Sequence, residues 1–297
     1  MGESENIRRR ADHTGADFPL PQLGSHGLAS GFPAELSKSI RTLEQRLAKL
    51  QKEHDELRQA IFAAAQMQRR LCAPRELHHG QFEIAGEIFP TRHLSGDFYQ
   101  VLTLDAATGL AIGDIAGKGL IAGLWMTYMA GLIRTHLDSG LDLTEAASAL
   151  NEGLWKMRPE APMVALFLAR LDHNSGELTY CNAGQPPALA LRAGGRVETL
   201  ETGGPMLGAI PKASFASGRI VLAPGDTVIS HTDGIVECRN GQGEEFGTER
   251  LIAASRNAGP FSAANILFNI LGAAQDFAAG RPPEDDLSLV VARRRPA

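Results

Sequence analysis

Between residues 82 and 293 the sequence breaks into ten short runs rich in aliphatic, aromatic and β-branched residues, punctuated by Gly, Asn, Asp and Pro. They span 82–88, 98–104, 110–115, 164–172, 177–182, 188–192, 197–200, 219–222, 227–231 and 287–293. Tight turns at His173-Asn174-Ser175-Gly176 and Ala193-Gly194-Gly195 join consecutive runs, so antiparallel hairpins rather than crossover units are expected. Helical stretches come in pairs, 119–137 with 144–157 and 248–257 with 263–279. Strands in hairpins with paired helices between them fit an α+β domain, sheets covered by helices.

A different period precedes this region. From Leu36 apolar residues follow a heptad, Ile40, Leu43, Leu47, Leu50, Leu57, Ile61, Ala64 and Leu71, interrupted only at His54 and Gln68. Glu53 and Arg58 take g and following e positions, where opposite charges attract across a parallel pair. A parallel homodimer is one reading; a single helix laid on its own domain is the other. Residues 1–33 show neither period and read as a flexible arm, Pro74 stops the helix, and the divisions expected are 1–33, 34–73 and 80–295.

Charge and cysteine content narrow the functional classes. A net charge of −5 offers no basic field for nucleic acid or an anionic membrane, and the run Arg8-Arg9-Arg10 is short and isolated. Cys72, Cys181 and Cys238 have no CxxC spacing, which argues against a disulfide framework or zinc knuckle and fits a reducing cytoplasm. The longest uncharged apolar stretch, 119–133, would rise only ~22 Å as a helix against a ~30 Å hydrocarbon core, so it reads as a buried helix with Trp125, Met126, Tyr128 and Met129 in its core face. His78-His79 lacks paired ligands and reads as a solvated loop.

Four segments set an aspartate at a strand end or in a glycine turn: Ser95-Gly96-Asp97-Phe98-Tyr99, Gly113-Asp114-Ile115, Thr232-Asp233-Gly234 and Glu284-Asp285-Asp286-Leu287. One such aspartate is ordinary turn chemistry. Several carried to one sheet edge would repel each other unless a cation held them, and hard Mg²⁺ or Mn²⁺ ions suit carboxylate oxygen. Two such ions can activate water for phosphoester hydrolysis without a protein nucleophile. The sequence offers no alternative nucleophile in a GxSxG elbow or a cysteine phosphatase loop. A dinucleotide reading of Gly117-Lys118-Gly119-Leu120-Ile121-Ala122, with Asp138 downstream, is opposed by the carboxylate of Asp114 and by the hairpins that follow.

In this order the four segments resemble the SpoIIE/RsbU branch of the protein phosphatase 2C-like (PPM) superfamily over about residues 66–294. Gly113-Asp114-Ile115-Ala116-Gly117-Lys118-Gly119, Asn182-Ala183-Gly184, Pro205-Met206-Leu207-Gly208, Pro224-Gly225-Asp226 and Thr232-Asp233-Gly234-Ile235-Val236-Glu237 extend the match. The resemblance implies an α-β-β-α sandwich of two antiparallel sheets and two Mn²⁺ or Mg²⁺ ions. Their ligands would be Asp97, Asp114, the Ile115 carbonyl, Asp233 and Asp285, with Asp286 secondary. It further implies a phosphorylated STAS-type anti-sigma-factor antagonist as substrate and an activator protein acting through the N-terminal helix. Ser95, Gln100 and Gln185 depart from the family pattern, and Ala116 stands where some members carry a histidine. The rival from another class is an inactive binding module that keeps the fold and the dimerising helix.

Overall fold

The computed structural model describes residues 33–71, 75–91, 94–257 and 262–296. Cys72, Pro74 and the proposed arm, apart from Pro33, lie outside these. The chain divides into two compact units between Leu57 and Arg58. Helix α1 (Ala34–Leu71) crosses that division.

In the first unit the apolar stripe of the helical stretch is exposed. Leu43, Leu47, Leu50 and Leu57 are each more than half exposed. Its polar flank carries Lys49–Glu53 and Lys52–Glu56 pairs at helical i,i+4 spacing, which stabilise such a helix by only ~0.3–0.5 kcal/mol each.

The second unit holds two antiparallel sheets. Strands β1 (Glu76–His79), β2 (Phe82–Phe89), β7 (Ala188–Leu191), β8 (Val197–Leu200), β11 (Thr227–His231) and β12 (Leu287–Arg294) form the first, in the order β1-β2-β12-β11-β7-β8. The second runs β10-β6-β5-β4-β3, from β3 (Phe98–Thr103), β4 (Ala107–Ile115), β5 (Val164–Asp172), β6 (Glu177–Ala183) and β10 (Gly218–Val221). The two-residue β9 (Gly203–Gly204) pairs in parallel with β6.

Strand periodicity explains the layering, because alternate side chains leave opposite faces of a sheet. Ile112 and Leu110 of β4, Phe167 and Ala169 of β5, and Val290 and Ala292 of β12 meet between the sheets. The alternate residues Ala111 and Ile115, Leu166 and Leu168 turn outward against α2 (Leu120–Asp138) and α3 (Leu143–Lys156). Leu289 and Val291 turn outward from the first sheet against α5 (Gly247–Asn257) and α6 (Ala263–Ala278). The result is the expected α-β-β-α sandwich. Met126 and Met129 are buried in α2 as expected, while Tyr128 is 39% exposed.

Local signals set the helix starts. The Asp142 side chain accepts from the Thr144 amide while Glu145 returns a bond to the Asp142 amide, a capping box that opens α3. A second expectation, after that of a buried Tyr128, fails. His78-His79 is part of β1 rather than a loop, and His79 Nδ1 lies 2.9 Å from Thr108 Oγ1, which is also 2.9 Å from His173 Nε2. A strand with only one aliphatic residue shows no apolar alternation, so pairing with β2 at the sheet edge makes it a strand.

Candidate active site

Strand register brings the four aspartate segments together. In the β3–β4 ladder Phe98 faces Gly113, so one step further Asp97 faces Asp114. In the β11–β12 ladder His231 faces Leu289, and continuing that register sets Asp233 and Gly234 against Leu287 and Asp286. Contact at this corner is close enough to forbid a side chain: any Cβ on Gly234 would run into the carbonyl oxygen of Asp286. Asp233 opens the single-turn helix α4 (Asp233–Val236).

The carboxylates differ in how they are held. Asp97 is almost fully buried; its Oδ2 accepts from Thr232 Oγ1 at 2.7 Å and its amide donates to Ser95 Oγ at 2.9 Å. Asp286 is equally built in. Its Oδ1 accepts from the Thr91 amide and hydroxyl at 2.7 and 2.8 Å, and its Oδ2 from Ser95 Oγ at 2.5 Å. Asp285 is half exposed; Lys118 Nζ stands 2.9 Å from its Oδ2, and its Oδ1 accepts from the Asp286 amide. The Ile115 carbonyl lies beside Gly96, at 2.9 Å from where a side chain on that glycine would begin, so the glycine leaves this oxygen uncovered.

Electrostatics at this end are unfavourable for the bare carboxylates. Burial, and then the neighbouring Asp114, push the Asp97 carboxyl well above its ordinary range. Asp114 rises to about 6, first through burial and then through Asp233, with Asp285 and Asp286 adding to it. A hydrogen bond with Asp97 works the other way on Asp114, and the net rise at both groups marks this end as a candidate site where the fold gathers negative charge. As the side chains stand, no three Asp, Glu, His or Cys among the described residues close on one point as a finished cation shell. The donor set nonetheless fits a hard divalent ion: carboxylate and carbonyl oxygens only, and charge repulsion that a cation would relieve.

Beside Asp285 opens a cleft of about 250 Å³ whose lining includes Lys118, Gly234, Glu237, Arg239 and Arg281.

The model of the SpoIIE family, described as Stage II sporulation protein E, matches residues 105–295, well over half of the 297. The chain belongs to the SpoIIE family. Asp97 falls just before the matched span, and the β3–β4 ladder is what ties it to Asp114.

Relatives and solved structures agree with this membership. The chain is 28% identical to protein IcfG of Synechocystis over 201 residues, 58% of this chain and 32% of IcfG. It is 24% identical to the phosphoserine phosphatase RsbU of Bacillus subtilis over 243 residues, covering 81% of this chain and 71% of RsbU. Among solved structures, the RsbU and RsbW domains of Rv1364c from Mycobacterium tuberculosis superpose with a TM-score of 0.63 and 26% identity, over 73% of this chain and 61% of that one. The chain thus spans about a third of IcfG and under two thirds of the Rv1364c structure.

Several residues of this SpoIIE-family chain that sequence reasoning set aside bear on the site. Ser95, a departure from the usual glycine, bridges the Asp97 amide and the Asp286 carboxylate. Gln68, an interruption of the heptad, clasps Ser95 from α1: Nε2 donates to the Ser95 carbonyl at 2.6 Å and Oε1 accepts from its amide at 3.1 Å. Lys118 engages Asp285 and also donates to the Glu284 carbonyl. Gln185 is structural, donating to the Ala165 carbonyl from a buried position.

Proposed function

We propose that this chain is a metal-dependent phosphoprotein phosphatase that hydrolyses phosphoserine or phosphothreonine. The observation that carries the reading is the convergence of Asp97, Asp114, Asp233, Asp285 and Asp286 at one end of the sandwich, with Asp97 and Asp114 forced against each other. Similarity to a phosphoserine phosphatase of the same family supports it.

In this reading Asp97, Asp114, Asp233, Asp285 and the Ile115 carbonyl hold two Mg²⁺ or Mn²⁺ ions, with Asp286 close by. Bound ions would supply Lewis acidity toward a phosphoryl oxygen and lower the pKa of a coordinated water. The chain's own contribution is positioning. Thr232 and Ser95 fix Asp97, while Thr91 and Ser95 fix Asp286, so these carboxylates need little reorganisation when cations arrive. Lys118 balances Asp285 until then. Ala116 leaves protonation of the leaving serine oxygen to solvent, with no histidine at that position.

The substrate in this reading is a STAS-type anti-sigma-factor antagonist in a partner-switching pathway. The exposed stripe of α1 pairs with a second copy, and an activator protein acts through that helix. Replacing both Leu43 and Leu50 by Glu should then turn a dimer into a monomer in sedimentation. An inactive binding module would have no use for a set of mutually repelling carboxylates, which costs stability in the absence of a cation. No helix among the described residues is long and apolar enough to cross a membrane.

The deciding experiment is hydrolysis of p-nitrophenyl phosphate and a phosphoserine peptide with Mn²⁺, Mg²⁺ or EDTA, by the native chain and by Asp233→Asn. Turnover that needs the cation and vanishes in the variant supports the proposal. Turnover unaffected by EDTA or by the substitution would refute the site.

A further inference from the structure

The cleft beside Asp285 has a cation built into its wall that the reaction proposed above does not use. Helix α6 ends with two consecutive left-handed residues, Ala279 and Gly280, at φ 51° and 83°, which swing the chain away from the helix axis. Arg281 follows, and Pro282-Pro283 then lead stiffly into Glu284 and Asp285. The Arg281 side chain is pinned at one end: Nη1 donates to the Asn240 carbonyl at 2.6 Å. Asn240 is itself held in its loop, where its Oδ1 accepts from the amides of Gln242 and Glu244.

The three cations of the cleft are unequal. Lys118 is paired with Asp285 at 2.9 Å and Arg239 with Glu245 at 2.8 Å. Arg281 has no carboxylate within ion-pair distance among the described residues. A guanidinium carries five N–H donors in a planar fork suited to carboxylate, and the bond to the Asn240 carbonyl uses one of them. The cleft measures about 250 Å³, and Asp285, Gly234 and Arg281 all line it.

We propose that this cleft is a substrate subsite that receives an acidic side chain close in sequence to the phosphorylated residue, and that Arg281 is the residue that selects it. The proposal rests on the phosphatase reading and gives it a specificity. A phosphoserine held at the aspartate end leaves its polypeptide to run over the cleft. A neighbouring Glu or Asp then meets a pre-positioned guanidinium, and Gln at the same place loses the charge-assisted fork.

The test uses the full chain and a set of phosphoserine peptides, each with a single Glu at one of the three positions on either side and Gln elsewhere. The native protein should favour one Glu position by about tenfold in KM over the all-Gln peptide. Arg281→Ala should erase that preference while kcat and the rate on p-nitrophenyl phosphate stay within twofold. Arg281→Lys, which keeps the charge, should restore part of it. No preference in the native protein, or a preference that survives Arg281→Ala, overturns the proposal. So does an equal loss on p-nitrophenyl phosphate, which would assign Arg281 to the phosphoryl group itself. If no phosphoester is hydrolysed at all, the phosphatase reading fails separately. Fluorescence anisotropy of the same labelled peptides in EDTA then decides the subsite: a Glu preference lost in Arg281→Ala upholds it, and equal binding of Glu and Gln peptides sinks it.

Discussion

Strand β11 has an aspartate beyond each end, and the two live in opposite surroundings. Before it, Asp226 is buried with every oxygen satisfied: Arg192 Nη1 stands 2.9 Å away, and the amides of Ala193 and Ala223 donate at 2.8 and 2.9 Å. After it, Asp233 lies among carboxylates, and its charge raises the proton affinity of Asp114. Strand β4 repeats the pattern, with Thr108 between two imidazoles near its start and Asp114 near its finish. One end of the sandwich resolves its polar groups within the fold, and the other leaves them in conflict. A buried carboxylate whose partners are amides and a guanidinium is architecture, whereas one whose neighbours are other carboxylates awaits something from outside.

The contrast predicts different failures at the two ends. Asp97→Asn should lower cation-dependent turnover by about a thousandfold, or ~4 kcal/mol of transition-state stabilisation, while the metal-free protein melts no lower than the native one. Steady-state kinetics and thermal melts in EDTA together check this. Asp226→Ala should do the reverse: about 3 kcal/mol less stable to urea, because Arg192 loses its buried partner, with turnover per folded molecule unchanged.

A pH titration of the metal-free protein probes the aspartate end directly. The Asp114 carboxyl is held near 6 in the folded chain against an ordinary 3.8, so the folded state keeps protons that the unfolded state gives up between those values. Stability in EDTA should therefore rise as pH falls from 7 toward 4.5, by on the order of 2 kcal/mol from this group, and Asp97, also raised, works in the same direction. Saturating Mn²⁺ should flatten or invert the slope. A smaller effect, about 1–2 kcal/mol, is expected for Gln68→Ala, which leaves the buried amide and carbonyl of Ser95 without their partner; urea melts measure it. The least is expected of Lys118→Ala, where freeing the half-exposed Asp285 should tighten Mn²⁺ binding no more than a few-fold in calorimetry.

Much of this is legible in the sequence. Runs of aliphatic, aromatic and β-branched residues between turn signals locate the bounds of β5, β8 and β11 to the residue, and both helix pairs lie within a residue of the expected bounds. β1, with one aliphatic residue, offers no such run, and β9, two glycines beside β6, has no side chains to make one. The four aspartate segments were recognisable by type and order. Which of two adjacent aspartates turns inward was not, since it depends on where β12 begins: Asp286, given the secondary place, is the buried one bound to Thr91 and Ser95, and Asp285 faces Lys118. Gln68 was visible only as a flaw in the heptad, since its partner lies 27 residues further along the chain.

The closeness of Gly234 to the Asp286 carbonyl bears on how this chain would look to genetics. A saturation screen for lost activity would flag position 234 as strictly as the aspartates, even for alanine, although a glycine has no group to bind a cation or move a proton. Position 234 would be intolerant for want of space alone, so a map of forbidden substitutions would draw the site one residue larger than its chemistry. Adding the abundance of each variant to the screen would separate the two: Asp233 variants accumulate as inert protein, whereas Gly234 variants disappear.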